Sequence, residues 1–405
     1  MSVAAPTPGM SAPTVVLVLS LLLGLQPITT DLYLPALPAL TAELGAPMAQ
    51  AQLTLSALLL AFGVSQLVWG PVSDRWGRRP VLLAGLVCYG VAALGSAWAP
   101  SMGWLIVWRA LQGAAMGAAV MGARAIVRDL YAPVQGARVM SQALSGLGVI
   151  ACLSAPVGGV VTQLWGWREA LLVLVIAGAL TLGLIVLRFQ ETVHARNSQA
   201  LRPAVLLATW GTVLRHRTFW AYSALSATSY AGLFTFLASS SFVFTGVLGL
   251  SKTAYGWIML VNSLAYIAGT FVCRAWLARV GVRRTVRRAG LLSLAGGSLM
   301  ALATLGGWVS VASIMLPQLL FMIGHGIHQP CGQSGAVGPF PKAAGAASAL
   351  NGFIMMVFAF AMGGWLGGHM DGSVRPLTLG VWFWSVLIAA SAWTLVQRWG
   401  DPQTA

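Results

Sequence analysis

Charged side chains are scarce in this sequence of 405 residues: they form 8% of it, against about 25% in soluble proteins. Only 8 residues are acidic, whereas 58% are apolar and the mean hydropathy is +0.81. This composition excludes a soluble globular protein and indicates a polytopic membrane protein. The few carboxylates, most of them beside arginines of the loops, also disfavour a membrane enzyme that acts on lipid.

Cysteine is equally rare, and its four positions fall singly in four different apolar runs: Cys88, Cys152, Cys273 and Cys331. Their spacing fits neither a metal site nor a disulfide framework, so we interpret them as small packing residues. The nucleotide-binding pattern Gly-x-x-x-x-Gly-Lys-Ser/Thr is missing, which argues against direct use of ATP. We therefore expect neither a metal nor a cofactor.

Apolar runs of the length that crosses a bilayer recur along the whole chain. A spanning helix needs about 20 apolar residues. Twelve runs meet this requirement: 14–38, 52–73, 80–99, 103–123, 141–163, 168–188, 219–245, 254–276, 287–306, 308–330, 345–367 and 376–397. The first run is too long for a signal peptide and has no basic residue before it, so we expect it to remain as a span. The sequence predicts an all-α membrane protein.

The net charge of +15 is distributed over alternate loops. The richer set comprises Arg75, Arg78, Arg79, Arg124, Arg128, Arg138, Arg188, Arg196, Arg202, Arg215, Arg217, Arg274, Arg279, Arg283, Arg284, Arg287, Arg288, Lys342 and Arg398. The alternate loops contain only Arg168, Lys252 and Arg375. Because cytoplasmic loops carry the excess of Lys and Arg, we expect both termini to be cytoplasmic. Membrane orientation explains the charge better than a nucleic-acid partner, which we do not expect.

One segment, residues 190–218, is too polar to span and divides the chain into six spans plus six. The halves resemble each other, because the segment Asp74–Arg79 follows span two as Ala278–Arg283 follows span eight, with a shared Arg-x-Gly frame. We predict an N-terminal bundle (1–189), a cytoplasmic linker (190–218) and a C-terminal bundle (219–405). Parallel six-helix repeats are an established transporter plan, with the substrate site at the repeat interface.

Asp31 is the only charged residue in the run that begins at Thr14. An ionisable group at membrane depth costs roughly 2.5–3.5 kcal/mol on insertion scales and usually marks an ion or substrate path. Pro27 and Pro35, four residues to either side, remove backbone hydrogen bonds, so we expect the helix to open around the carboxylate. An interfacial aspartate that caps the span is the alternative interpretation.

The turn after the second span reads Gly70-Pro71-Val72-Ser73-Asp74-Arg75-Trp76-Gly77-Arg78-Arg79-Pro80. This segment resembles the signature of the major facilitator superfamily, and nearly the whole chain resembles that superfamily's Bcr/CflA group of twelve-span drug:proton antiporters. The resemblance implies two pseudo-symmetric six-helix bundles. It also implies a conformational latch, which we assign to Gly70, Asp74, Arg75, Gly77 and Arg78. The glycines are expected to allow a tight reversal.

The fourth span contains Trp108-Arg109-Ala110-Leu111-Gln112-Gly113, which resembles a second motif of the superfamily. In that motif a buried arginine is linked to proton handling, so we assign proton coupling to Asp31 and Arg109. An isolated guanidinium in a span is costly, and Asp31 is the acidic candidate in the same half, so we expect Arg109 to pair with it or with water. A static ion pair between helices is the structural alternative.

Small residues mark the fifth span, where Ala155-Pro156-Val157-Gly158-Gly159 resembles the motif typical of exporters. We assign Pro156, Gly158 and Gly159 to this motif. Ala151 and Ala155 stand where glycine is usual, so close helix approach is preserved while backbone flexibility is reduced.

His325 and His328 lie three residues apart and are expected to share one face of the tenth span. Together with Tyr33 and Gln112, they are our candidates for the substrate cavity. Without an acid or a cysteine predicted nearby, the histidines do not indicate a metal site.

The sequence and the resemblance together predict proton-coupled efflux of amphipathic small molecules, such as antibiotics, across the bacterial inner membrane. The resemblance implies a monomer whose partners are its substrate, protons and the lipid bilayer. Protonation of Asp31 is expected to compete with drug binding. A transporter of a metabolite, such as a nucleoside or an amino acid, is the alternative, and a transport-dead sensor is a third interpretation.

Overall fold

The computed structural model of the protein describes residues 10–131, 133–193 and 199–400. Within these ranges helices dominate and no β-strand occurs. Eleven helices are long and apolar enough to cross a membrane. One of them has 54 residues, Lys252–Leu305, and is divided by a kink at Gly281, so it crosses twice. The predicted fold, twelve spans in two six-helix bundles, is confirmed.

The helices follow the chain in an order that repeats in the two halves. The first half contains α1 (Ala12–Asp31), α2 (Leu37–Glu43), α3 (Met48–Trp76), α4 (Arg78–Ala97), α5 (Met102–Leu130), α6 (Pro133–Leu164) and α7 (Trp167–Arg188). A short helix, α8 (Pro203–Leu214), follows. The second half contains α9 (Arg217–Ser241), α10 (Lys252–Leu305), α11 (Val311–Val337), α12 (Ala344–His369), α13 (Arg375–Ala390) and α14 (Val396–Trp399).

Two predicted boundaries differ from the structure. Spans eight and nine form one helix, α10, because only Gly281 leaves the helical conformation, with φ 74° and ψ 174°. The linker 190–218 was predicted as a polar connection but contains α8, which packs against α9 and α12. Arg196 lies outside the described residues, and the division of the chain at 190–218 stays a prediction.

The first span also differs from its prediction. Pro27 lies inside α1 without ending it, since the helix continues for four more residues to Asp31. A single turn of 3-10 helix at Leu34–Ala36 and the short helix α2 then complete the crossing. The helix therefore opens after the carboxylate, toward Pro35, and not on both sides of it.

The halves meet along two helix pairs, α3 with α12 and α6 with α10. Spans two and five are the counterparts of spans eight and eleven, so these pairs are related by the pseudo-symmetry of the repeat. The arginine-rich end of the molecule carries the turn at Gly77, the kink at Gly281 and α8. The opposite end carries the segment from Leu32 to Glu43 and the start of α10.

Candidate functional site

Asp31 is the last residue of α1 and lies where the two halves meet. Its carboxylate accepts a hydrogen bond from Thr30 Oγ1 at 2.8 Å. The 3-10 turn that follows it, Leu34–Ala36, packs against α6 of the first half and against α9 and α10 of the second half. Within the described ranges Asp31 forms no ion pair. The carboxylate therefore lies near the boundary between the two halves, and its one short-range hydrogen-bond donor is Thr30.

Arg109 is wholly buried inside the first half, on α5. Its guanidinium donates to the carbonyl oxygen of Thr29 and to Gln112 Oε1, both at 2.8 Å. The guanidinium carbon lies 4.2 Å from the centroid of the Tyr33 ring, a cation–π arrangement. Its Nε has no partner among the described residues. The positive charge of Arg109 is therefore stabilised by a carbonyl oxygen, an amide oxygen and the face of an aromatic ring.

The groups around Arg109 are themselves bonded across helices. Tyr33 donates its hydroxyl to Thr54 Oγ1 at 2.9 Å, and Thr29 Oγ1 shares a hydrogen bond of 2.7 Å with the hydroxyl of Tyr89. These contacts connect α1 and the turn after it with α3, α4 and α5. The Arg109 cluster, defined by Arg109, Thr29, Tyr33, Tyr89 and Gln112, is therefore a polar network that joins α1, α4 and α5 and is bonded through Tyr33 to Thr54 of α3.

Arg109 does not pair with Asp31 in this conformation, and a shared role of the two residues in proton coupling stays a prediction. Arg109 bonds to the carbonyl oxygen of Thr29, and Asp31 lies about 200° further around the axis of α1, because successive helical residues are about 100° apart. The guanidinium of Arg109 instead lies over the Tyr33 ring. Asp31 and Arg109 thus belong to different environments.

Tyr33 and Gln112, two of the four candidates for the substrate cavity, are wholly buried in the Arg109 cluster. The Tyr33 hydroxyl and Gln112 Oε1 are bonded within the first half, whereas Gln112 Nε2 has no partner among the described residues. In this conformation neither faces the second half, and contact of either side chain with a substrate stays a prediction.

His325 and His328 lie one turn apart on α11 and are both buried in the second half. His325 Nδ1 bonds to Ser229 Oγ at 2.9 Å, and the ring is stacked on Phe321 at 6.4 Å between centroids. His328 is wholly buried, and neither ring nitrogen has a hydrogen-bond partner within the described residues. Their role in the cavity stays a prediction.

The latch turn is built around Arg78, which is almost wholly buried. Its guanidinium bonds to Asp74 at 2.7 Å and to Asp129 of α5 at 2.8 Å, and it donates to Ser73 Oγ at 2.6 Å. Gly77 separates α3 from α4 with φ 104°, a conformation that favours glycine. Asp74 and Arg78 are therefore bonded across the turn at Gly77, and their role as a conformational latch stays a prediction.

Two assigned latch residues take other positions. Gly70 lies within α3, near Met121, and takes no part in the reversal, which Gly77 alone provides. Arg75 is exposed at the arginine-rich end, where no ion-pair partner occurs within the described residues. The helix continues to Trp76 because Pro71 is accommodated inside it.

Two carboxylates of this turn were missed by sequence reasoning. Asp129 neutralises Arg78 from the end of α5. Glu191, which follows α7, accepts the backbone N–H groups of Arg78 and Arg79 at 2.9 and 3.1 Å and so caps the start of α4. Both acids lie in arginine-rich segments, which indicates that they form ion pairs or caps. Their partners could not be identified from sequence, because they lie more than fifty residues away along the chain.

The exporter motif lies at the contact between α6 and α10, at the opposite end. A Cβ at Gly159 would lie 2.5 Å from the carbonyl oxygen of Lys252, and a Cβ at Gly256 would lie 2.7 Å from that of Ala155. Gly158 contacts the backbone of Leu32 just as closely. The motif therefore lets backbones of the two halves touch.

Other contacts between the halves occur at both ends. At the opposite end, Gln52 Nε2 donates to the carbonyl oxygen of Ala238 at 2.7 Å. At the arginine-rich end, Arg124 donates to Ser348 Oγ at 2.8 Å. The described conformation is closed at the opposite end by the α6–α10 contact and by the hydrogen bond from Gln52 to Ala238.

Two cysteines that the sequence treats as isolated are neighbours. The sulfur atoms of Cys273 and Cys331 are 3.7 Å apart, between α10 and α11. Within the parts of the chain that the structure describes, no three His, Cys, Asp or Glu side chains are grouped so that they could hold a metal ion.

Twelve spans in two related halves, with an acid at their boundary, define a polytopic membrane transporter. The family model described as Major Facilitator Superfamily matches residues 19–364. That range covers more than half of the sequence, and the chain belongs to the Major Facilitator Superfamily. It is a transporter and not an enzyme.

Similar proteins support the finer resemblance. The chain is 31% identical over 340 residues to multidrug resistance protein D of Escherichia coli, covering 83% of this chain and 84% of that protein. It is 26% identical over 367 residues to the bicyclomycin resistance protein homolog of Haemophilus influenzae, covering 89% and 91%. The predicted resemblance to the Bcr/CflA-type group is confirmed.

A solved structure shares the fold. The D-xylose-proton symporter superposes with a TM-score of 0.72 at 16% identity, covering 97% of this chain and 99% of that one. At this identity the likeness shows the architecture alone.

Proposed function

We propose that the protein exports amphipathic small molecules, such as antibiotics, in exchange for protons by alternating access. The observation that carries the proposal is the position of Asp31. It is the one described carboxylate that lies beside the contact between the halves and has neither a cation nor a backbone N–H as partner. The names of the multidrug and bicyclomycin resistance relatives support the substrate class.

The chemistry of the site follows from the cost of charge at membrane depth. An ionised carboxylate there is expensive unless a cation or several donors stabilise it. Asp31 has one short-range donor, Thr30, so it is stabilised either by a proton or by a polar substrate between the halves. Proton and substrate therefore compete, and their exchange favours different arrangements of the halves.

Alternating access requires that each end close in turn. The α6–α10 contact closes the opposite end here, and the latch turn with the Arg124–Ser348 bond is the corresponding element at the arginine-rich end. We assign the arginine-rich end to the cytoplasm from the excess of Lys and Arg in its loops, so that both termini are cytoplasmic. The setting we propose is the bacterial inner membrane, with a monomer as the working unit and no nucleic-acid partner.

The test is substrate-driven proton movement in proteoliposomes, with wild type compared with Asp31→Asn. Asp371→Asn serves as the matched control, because Asp371 is an exposed loop acid bonded only to Ser373. The panel contains amphenicols, cationic dyes and nucleosides. We expect an amphipathic drug to move protons with wild type and Asp371→Asn, and the response to vanish with Asp31→Asn.

Two results would contradict the proposal. Equal proton movement with Asp31→Asn would place coupling elsewhere, with His325 and His328 as the next candidates. A response to nucleosides alone would assign the protein to metabolite transport.

A further inference from the structure

A cavity of about 700 Å³ lies at the arginine-rich end of the second half, apart from Asp31 and from the contacts between the halves. It extends from the kink at Gly281 to the facing ends of α9, α11 and α14. Three arginines line it, Arg283, Arg284 and Arg287, and no described lining residue is a carboxylate. The proposed transport cycle uses none of these residues.

A carboxylate fills the corresponding place in the first half. Gly77 and Gly281 match in the repeated Arg-x-Gly frame, and both have positive φ, 104° and 74°. The helix after Gly77 begins against Glu191, which accepts the N–H groups of Arg78 and Arg79. Because the first N–H groups of a helix lack partners within it, helix N-termini bind anions. The first half supplies that anion itself.

The second half presents the same helix start to an open cavity. Val282 and Arg283, which begin the second segment of α10, line it. Within the described residues, neither Arg284 nor Arg287 has a hydrogen-bond or ion-pair partner for its guanidinium. Three arginines therefore line the helix start that corresponds to the one capped by Glu191; Arg283 donates to the carbonyl oxygen of Gln397, and the guanidinium groups of Arg284 and Arg287 have no partner within the described residues.

Thr218, in the first turn of α9, indicates a ligand independently. Its side chain is wholly buried and belongs to the cavity wall. Its Oγ1 has no hydrogen-bond partner within the described residues. A buried hydroxyl without a partner is destabilising, so this atom is expected to bond to whatever occupies the cavity.

We propose that the cavity binds a phosphate group, carried by an anionic lipid headgroup or by a soluble phosphate compound. Guanidinium groups donate in pairs to phosphate oxygens, and the helix start and the Thr218 hydroxyl add donors of the kind that phosphate accepts. The cavity also has room for the atoms that a headgroup attaches to its phosphate. Basic pockets between spans on the cytoplasmic side commonly hold acidic lipid headgroups.

The experiment measures binding to the full-length protein in detergent, independently of transport. Native mass spectrometry counts bound phosphatidylglycerol, with phosphatidylcholine as the comparison lipid. The test variant is Arg284→Gln with Arg287→Gln. The matched control is Arg279→Gln with Arg288→Gln, which removes the same charge from the same region without touching the cavity wall. Thr218→Val removes only the hydroxyl.

We expect wild type to bind phosphatidylglycerol in preference to phosphatidylcholine. The double variant at Arg284 and Arg287 should weaken binding by roughly tenfold or more, because each arginine near a membrane surface adds about a fivefold preference for anionic lipid. The control pair should weaken it by less than about threefold, because charges outside the cavity act only through screened, longer-range attraction. Thr218→Val should weaken binding while thermal unfolding in detergent shows that the variant remains folded.

Inorganic phosphate distinguishes the two sources. If it binds alone in calorimetry and displaces phosphatidylglycerol, the natural ligand is a soluble phosphate; if only the lipid binds, the ligand is a headgroup. Two results would overturn the proposal: neither probe binds to wild type, or the control pair weakens binding as much as the cavity pair does.

Discussion

The guanidinium carbon of Arg109 lies 4.2 Å from the centroid of the Tyr33 ring, and both side chains are wholly buried in the first half. The arginine thus retains its charge at membrane depth without a carboxylate. A carbonyl oxygen, an amide oxygen and an aromatic face replace the counter-ion. Residues that position Arg109 come from four helices, so the charge also depends on how those helices pack.

Replacing Arg109 by lysine should destabilise the first half. Lysine keeps the charge but loses the planar fork that reaches both oxygens and the stacking on Tyr33. We expect the free energy of unfolding to fall by roughly 2–4 kcal/mol, the range of buried charged hydrogen bonds and cation–π contacts. The measurement is unfolding in detergent, titrated with sodium dodecyl sulfate.

The matched control for that variant is Arg168→Lys. Arg168 lies 4.2 Å from the Trp167 ring in the same arrangement, but it is exposed and pairs with Glu43 at the surface. We expect a change within about 1 kcal/mol. Equal stability of the Arg109 variant and wild type would mean that the cluster does not hold the helices together.

Gly77→Ala should weaken the latch turn through two effects. The backbone has φ 104°, which is unfavourable for alanine, and the added Cβ would overlap the carboxylate of Glu191. We expect a loss of at least about 1–2 kcal/mol in the free energy of unfolding. Gly281→Ala separates the effects, since it has φ 74° and open space around its Cβ, and it should cost less.

Gly90→Ala provides the baseline for that comparison. Gly90 lies inside α4 with no atom near an added Cβ, so alanine should leave stability unchanged or raise it by up to about 1 kcal/mol. If Gly77→Ala behaved like Gly90→Ala, the capping of α4 by Glu191 would contribute nothing to stability.

Gly159→Val should prevent closure at the opposite end without unfolding the protein. The new side chain would project into the backbone of Lys252, so α6 and α10 must separate. Spin labels at Trp165→Cys and Trp257→Cys, both exposed, should report a longer distance across this contact by electron paramagnetic resonance. Gly183→Val, in an open position on α7, should leave the distance unchanged. An unchanged distance in both variants would show that closure does not need the contact.

Oxidation should join Cys273 and Cys331 within one chain. Their sulfur atoms are 3.7 Å apart, and both helices belong to the second half. Copper phenanthroline should form the disulfide, detected by mass spectrometry of peptides, while substrate transport continues because the linked helices move together. Cys88→Ser is the control, since Cys88 is exposed on α4 and should not affect the product. Loss of transport on oxidation would show that α10 and α11 move against each other during the cycle.

The helical architecture could be predicted from sequence because each crossing requires a long apolar run, and such runs are separated by polar residues. The side of a helix on which a given side chain lies could not be predicted in this way. Asp31 and Arg109 were expected to pair because they share a half. Arg109 contacts Thr29, however, and Asp31, two residues later on α1, points to another side of the helix. The polar break between runs eight and nine predicted a loop, whereas at Gly281 a single residue turns the chain inside one continuous helix.

Contacts over long sequence separations account for most of what was missed. Cys273 and Cys331 are 58 residues apart, and Glu191 caps a helix that begins 113 residues earlier. Neither pairing leaves a pattern in a local window. The glycines of the exporter motif were predicted to permit close approach, but which backbone they approach depends on the packing of the halves.

The contact that Gly159 and Gly256 make between α6 and α10 has a thermodynamic consequence for the cycle. Glycine has no side chain, so parting these surfaces frees no rotamers and requires none to be reordered when they meet again. A gate made of main chain therefore has little preference of its own that comes from side-chain entropy. The equilibrium between the open and closed forms of this contact therefore depends on what is bound between the halves, so that binding of one proton or one substrate molecule can shift it.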